Sequence, residues 1–372
     1  MRKGNKKSAK SKRVLAVTSA DRVVVGLDVH KRQIHAAVRV NGVEVGTHVL
    51  SARPAAVEKF LASYRPGLKH VVYEAGPTGY GLARHLRSAG VAVDVIAPSK
   101  TPQAPGDGAK SDRLDCRDLA RLDEAGLLRP VAVPTEEEEA DRQVIRLRDQ
   151  AVQNRRRVRQ RIKSFLLMHS LPEPRGLEHW SAAGVTTLGA MEVRNGRLRF
   201  CLDVLLEELA NADETLAKID HEMKQMAEEP RHAAAVKTLT DHVGVGRTTA
   251  LPFETEMYRP ERFSNERQVS AMLGLAPRVR QSGERRREGP LLKAGRGRLR
   301  TLLVEAAWVS PPTRPGGPEG VPAAGAEHRL ATEGDRGDGA AFGVGFVAWT
   351  RKGAGGGLNR RRREATRTTT GR

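Results

Sequence analysis

Aromatic side chains are scarce: Phe, Trp and Tyr together make up 4% of the 372 residues. Base stacking, the usual grip on single-stranded nucleic acid, therefore has few residues to work with. Cysteine is scarcer still. Cys116 and Cys201 are the only two, too few for a disulfide framework or a cysteine-rich zinc site, and they suit a reducing cytoplasm. No apolar run approaches the roughly 18–20 residues of a membrane span, so no membrane partner is expected. The start, Met1–Arg13, carries seven Lys and Arg and no acid. No apolar stretch follows it, which excludes a secretory signal. Apolar residues reach 39%, against roughly 45–50% in ordinary globular chains by a count that includes Gly. What is abundant is positive charge: 64 Lys and Arg against 44 Asp and Glu, a net +20. Such a surplus expects a polyanion, with nucleic acid the default.

The chain divides by composition into a basic arm (1–21), an α/β block (22–130), a helical linker (136–230), a second compact block (236–308) and a tail (309–372). In the α/β block, Val23–His30 is a mostly apolar, β-branched run, the signature of a central strand. Ile34–Val40 and Val43–Leu50 flank Asn41-Gly42, a dipeptide that tolerates positive φ at both positions and marks a tight hairpin. A helix over Pro54–Tyr64, a strand at His70–Ala75, a helix at Gly81–Ser88, a strand at Val91–Ala97 and a helix at Ser111–Ala125 follow. Three strands, then helix–strand–helix–strand–helix, is the order of an RNase H-like domain. Pro130–Pro134 breaks the block. An acidic run at Glu136–Asp141 suits the positive end of a helix dipole. Residues 142–168 and Leu198–Ala227 then read as two long amphipathic helices, able to pair as an antiparallel coiled-coil arm.

Four carboxylates stand out. Asp28 lies inside an apolar strand, where an unpaired charge is costly. Glu74 ends the fourth strand. Asp112 and Asp115 are three apart on an expected helix and so share a face. Taken singly, Asp112 can cap its helix, Asp115 can be a solvated helix residue and Glu74 a strand-end charge. Taken together in RNase H-like order they converge, and four hard oxygen donors select Mg²⁺ or Mn²⁺. Two such ions would activate a nucleophile and stabilise the leaving oxygen of a phosphodiester. Asp118, one turn further on, is the less favoured candidate. His30 and Lys31 follow the first strand and could lie near the scissile phosphate, although a lone histidine is more often incidental.

Arg146–Lys163 holds eight basic residues and one acid, Asp149. It is either a solvated helix face or, through Arg155, Arg156, Arg157 and Arg159, a phosphate-binding one. Val243-Gly244-Val245-Gly246 reads as the turn of a helix-hairpin-helix, with Gly244 and Gly246 bringing backbone N–H groups onto a phosphate; an ordinary inter-helix turn is the alternative. It lacks the Gly-Lys-Ser/Thr of a phosphate-binding P-loop. From Gly274 to Arg300 there are nine Lys and Arg, among them Arg280, Lys293, Arg296, Arg298 and Arg300. Ser282 sits amid them. By composition it is a serine in a basic loop, since a hydroxyl needs activation to attack.

These motifs have a family resemblance. Gly26-Leu27-Asp28-Val29-His30-Lys31, Tyr73-Glu74-Ala75-Gly76-Pro77-Thr78-Gly79-Tyr80 and Lys110-Ser111-Asp112-Arg113-Leu114-Asp115 resemble the DEDD transposases of the insertion-sequence-110 family. So do Gly244-Val245-Gly246, Gly274-Leu275-Ala276-Pro277, Gln281-Ser282-Gly283, Lys293-Ala294-Gly295 and Leu299-Arg300. The likeness spans residues 22–308 in the correct order. It implies a RuvC-like N-terminal domain, a coiled-coil linker and a mostly α C-terminal transposase domain. It implies Asp28, Glu74, Asp112 and Asp115 as metal-binding acids and Ser282 as the nucleophile, which reverses the compositional reading of that serine. It further implies a homo-oligomer in which the serine domain of one protomer meets the acids of another, DNA as substrate and a structured guide RNA. Pro252 and Pro290 interrupt stretches expected to be helical. From Val309 the resemblance stops: 14 of the last 64 residues are Gly, about three times the usual share, and a frameshift near codon 308–310 is expected. Two other functions fit the same acids. A junction-resolving nuclease would use water and no serine, and a non-catalytic remnant would bind nucleic acid without cutting it.

Overall fold

The computed structural model describes residues 17–101, 116–282, 285–291 and 295–309. The chain forms two compact units, Met1–Glu136 and Glu137–Arg372.

The first unit is a five-stranded mixed sheet. Strands β1 (Val23–Val29), β2 (Gln33–Val40) and β3 (Val43–Ser51) form an antiparallel meander. Asn41 and Gly42 turn the second hairpin with φ of 49° and 86°, the double positive φ of a type I′ turn. Helix α1 (Pro54–Ala62) leads to β4 (Leu68–Glu74), and α2 (Gly81–Ser88) leads to β5 (Val93–Ile96). Both strands run parallel to their neighbours, giving the order β3-β2-β1-β4-β5. Alternation sorts the side chains to two faces. Val25, Leu27, Val71 and Tyr73 pack with Val57, Leu61 and Leu86 of α1 and α2. The Tyr73 hydroxyl accepts the N–H of Ala83 at 3.2 Å, pairing one of the unbonded amides in the first turn of α2, and burial pushes its phenol up to about 12.

The opposite face carries Val24, Gly26 and Asp28 of β1 and His70, Val72 and Glu74 of β4. Helix α3 (Cys116–Glu124) lies on it, with Leu119 buried against Val72 and Ile96. Its approach is so close that a Cβ on Gly26 would overlap the Cys116 carbonyl and lie 2.7 Å from the Ala120 nitrogen. Two ion pairs fix its direction. Asp123 meets His70 Nδ1 at 2.7 Å and Glu124 meets Arg39 Nε at 2.7 Å, and both partners lie level with Val24. The end of α3 is thus at the Val24 level and its start at Gly26. The helix runs antiparallel to β1, and its N-terminus points toward Asp28.

The second unit is helical. Helices α4 (Glu136–Met168) and α6 (Gly196–Glu228) have 33 residues each, roughly 50 Å at 1.5 Å per residue. Leu202, Leu209, Leu216 and Met223 of α6 recur every seven residues and are buried, the period that keeps one seam against a partner helix. Against them pack Ile145, Ala151, Val158 and Ile162 of α4. The pairing is antiparallel: Arg148 pairs with Asp220, Arg155 with Asp213 and Arg161 with Glu208. At the turn, α5 (Ala182–Gly189) starts at Ser181, whose hydroxyl accepts the Gly184 N–H at 3.1 Å. Beyond the arm come α7 (Pro230–Thr240), α8 (Arg247–Met257), α9 (Glu266–Leu273), the hairpin β6 (Pro277–Ser282) with β7 (Arg285–Leu291), and α10 (Gly297–Val309). Pro252 is accommodated inside α8. The stretch holding Pro290 is a strand rather than a helix; its pairing shifts register between Pro277 and Val279, which leaves a place for a residue without an N–H.

Charges are buried where α4 meets α7 and α8. His232 lies between Glu254 (Nδ1–Oε2 2.7 Å) and Asp141 (Nε2–Oδ2 3.3 Å), with Arg231 2.8 Å from Asp141. The bond to Glu254 raises the His232 pKa. Arg142 donates to the Thr255 carbonyl at 3.3 Å, lies 3.9 Å over the Tyr258 ring and faces Glu256, which also pairs with Arg296 at 3.1 Å. Among the described residues no helix is long and apolar enough to cross a membrane.

Candidate active site

Asp28 and Glu74 stand at the carboxyl ends of two adjacent parallel strands. Leu27 pairs with Tyr73 across β1 and β4, so each acid is the next residue beyond that pair. Alternation turns both to the α3 face. Together with His30, Lys31, Arg32, Gln33, Gly76 and Pro77 they line an open cleft of about 730 Å³. The Glu74 carboxyl is held above the usual range, first by burial and then by the Asp28 charge, against a hydrogen bond from Thr101. Two carboxyl groups side by side on one cleft, both half-buried, offer a cation a place to sit. Their hard oxygen donors fit Mg²⁺ or Mn²⁺.

His30 is more engaged than its position in the sequence suggests. Its Nε2 lies 2.8 Å from Asp28 Oδ2, with both side chains about a quarter exposed. The signal was only adjacency. The contact depends on the turn closed by the His30 N–H and the Gln33 carbonyl at 3.0 Å. Asp118 sits in the first turn of α3 and pairs with Arg121 at 3.0 Å. Asp112 and Asp115 lie outside the described residues. Among the described residues no group of three acids, histidines or cysteines could hold a metal, so the described part of the site supplies two donors.

The basic candidates separate by what they touch. Arg155 lies 3.3 Å from Asp213, and Arg159 lies 3.9 Å from the same carboxylate and 5.1 Å over the Trp180 ring. Arg296 pairs with Glu256, and Arg298 with Asp149 at 2.7 Å. Arg300 donates to the Gly274 carbonyl at 3.0 Å. Arg156 and Arg157 are exposed, the latter bonded to Asn154 at 3.1 Å. Gly244 has φ +84° in the α7–α8 turn, and Gly246 precedes the first residue of α8. Ser282 ends β6, its backbone paired with Arg285, and Arg280 lies in the same strand. Lys293 lies outside the described residues.

Comparison with known proteins identifies the lineage. The y4qE protein of Sinorhizobium fredii (strain NBRC 101917 / NGR234), whose name assigns it to the transposases, is 35% identical over 302 residues, covering 79% of this chain and 73% of that one. The family model described as Transposase IS116/IS110/IS902 family matches residues 236–315, and the IS110-type DEDD transposase model matches residues 25–170. The chain belongs to the IS110 family of DEDD transposases. This transposase is also similar to the transposase for insertion sequence element IS1533 of Leptospira borgpetersenii, at 29% identity over 77% of this chain and 85% of that one. A third relative is the transposase for insertion sequence element IS1111A of Coxiella burnetii (strain RSA 493 / Nine Mile phase I), at 28% over 66% of each. As a transposase it acts on DNA, and the DEDD model covers both Asp28 and Glu74.

Proposed function

We propose that this transposase cuts and rejoins DNA on an RNase H-like first unit, with Asp28, Glu74, Asp112 and Asp115 holding divalent cations and Ser282 as nucleophile. The observation that carries the reading is the direction of α3. Asp115 is joined to Cys116, one Cα step of about 3.8 Å away, and Cys116 lies over Gly26, two residues before Asp28 on the same face. That supports bringing the second acid pair to the first. When bound, Mg²⁺ or Mn²⁺ would neutralise the carboxylates and stabilise the charge that develops on the phosphate.

The residues of the chain do the rest. The Ser282 oxygen bonds to phosphorus as the bond to one deoxyribose oxygen breaks. The serine loses its proton and the departing oxygen gains one. Attack by the hydroxyl of a second strand reverses the exchange and rejoins the DNA. Gly244 and Gly246, in a helix-hairpin-helix, and the basic residues Arg156, Arg157, Arg280 and Lys293 contact nucleic acid, including a structured guide RNA. The protein acts as a homo-oligomer. A break in the reading frame near codon 308–310 accounts for the change of composition at Val309, and the family match ends at residue 315. Family-like helices in a neighbouring frame would support that break, and their absence from both would remove it.

The test is a trio of variants on the full chain with element-end DNA. Asp28→Asn and Glu74→Gln should lose Mg²⁺-dependent cleavage while retaining DNA binding. Ser282→Ala should lose the covalent protein–DNA adduct. Cleavage that survives Ser282→Ala would instead point to water as nucleophile, as in a junction-resolving nuclease.

A further inference from the structure

The carboxylate cleft has a cationic rim. The turn His30–Arg32 between β1 and β2 puts Lys31 and Arg32 on the cleft beside Asp28 and Glu74, both exposed. The turn is pinned at both ends. His30 N–H bonds the Gln33 carbonyl at 3.0 Å, and Ala52 N–H bonds the Arg32 carbonyl at 3.4 Å. Several other cations of this unit are committed within it, Arg39 to Glu124, Arg87 to Asp94, Arg117 to Glu44 and Arg121 to Asp118. Among the described residues Lys31 and Arg32 have no carboxylate partner.

Two unpaired cations beside a carboxylate pair have a physical use. DNA approaching Asp28 and Glu74 brings a phosphate every few ångströms of backbone. Cations held by the acids can offset the phosphate that reacts, but the neighbouring phosphates need counter-charges of their own. A lysine supplies a mobile point charge, and an arginine a planar fork matched to two phosphate oxygens.

We propose that Lys31 and Arg32 form a backbone clamp that holds the DNA phosphates flanking the reacting one. They are positioning residues, and the proposal rests on the reading that this cleft is where DNA is processed. Two measurements on the full chain test it, neither needing turnover. The first is binding of a short DNA duplex of arbitrary sequence against salt. Lys31→Gln/Arg32→Gln should lower the log–log salt slope by about two and weaken binding about tenfold at moderate salt. The second is lysine acylation read by mass spectrometry. The duplex should protect Lys31 and leave the exposed Lys59 of α1 unprotected. An unchanged slope, or Lys31 acylated equally with and without DNA, overturns the clamp. The underlying reading fails separately: if Asp28→Asn keeps Mg²⁺-dependent cleavage, the cleft is not the reaction site whatever Lys31 does. If Asp28→Asn abolishes cleavage while the double variant keeps the wild-type slope, only the clamp is lost.

Discussion

Gly26→Ala is the sharpest perturbation the first unit offers. The added methyl would overlap the Cys116 carbonyl and sit 2.7 Å from the Ala120 nitrogen, where ordinary contact begins near 3.4 Å. Neither atom is the free end of a side chain, so α3 itself must move outward, by about 0.7 Å at the Ala120 nitrogen and about 1.3 Å at the Cys116 carbonyl. Overpacking against yielding neighbours costs about 1–3 kcal/mol. Here backbone is what must yield, and lifting α3 also begins to expose Leu119, worth up to about 1.5–3 kcal/mol when fully buried. A loss of about 3 kcal/mol in urea unfolding is expected. The two cysteines give a second, local readout. Cys201 is exposed and Cys116 is buried, so the native protein should show one fast thiol and one slow thiol toward an aromatic disulfide reagent. The variant should show two fast ones. Gly81→Ala is the control: its methyl meets nothing within 4 Å, and stability should hold or rise slightly. A Gly26→Ala protein with the wild-type urea midpoint and a protected Cys116 would refute the packing of α3 on β1, and with it the support for the proposed convergence of the four acids.

Two further outcomes follow from buried charges. His70 and His232 have raised pKa values, each chiefly through a hydrogen bond to a carboxylate, Asp123 and Glu254 respectively. Each therefore contributes stability that is complete below its unfolded value of about 6.5 and is lost as pH rises through its folded value. His242, lowered by burial, works in the opposite sense. The urea midpoint should fall above pH 6.5, and His70→Gln with His232→Gln should flatten that fall; an equally steep decline in the double variant would exclude these histidines. Arg142→Ala removes one partner from a buried set and leaves Glu256 with Arg296 alone, so chemical denaturation should show a loss of about 3 kcal/mol.

Much of the first unit was legible because its signals are local. Asp28 was conspicuous as a charge in an unbroken apolar run, and Asn41-Gly42 names its own turn. The long helices announced themselves as long amphipathic stretches, while the seven-residue seam of Leu202, Leu209, Leu216 and Met223 shows only once the helices are paired. What escaped depends on partners distant in the chain. The carboxylate that engages Arg155 and Arg159 is Asp213, on the other long helix, so a face that reads as free positive charge is partly neutralised. The His30–Asp28 bond needs the tight turn after β1. The β6–β7 hairpin carries arginines and a proline where strand patterns expect alternating apolar residues, and α5 is a short segment with two glycines. His232 gave no sign of burial, since it lies between Arg231 and a run of alanines that suits any helix.

The paired 33-residue helices restrict how this protein can diverge. An inserted residue in either helix swings everything beyond it by about 100°, lifting the leucine seam off its mate and breaking the ladder from Arg148–Asp220 to Arg161–Glu208. Seven residues added to both helices restore the seam and lengthen the projection by about 10 Å. Size variation in this limb should therefore be quantised, in matched blocks on its outgoing and returning halves.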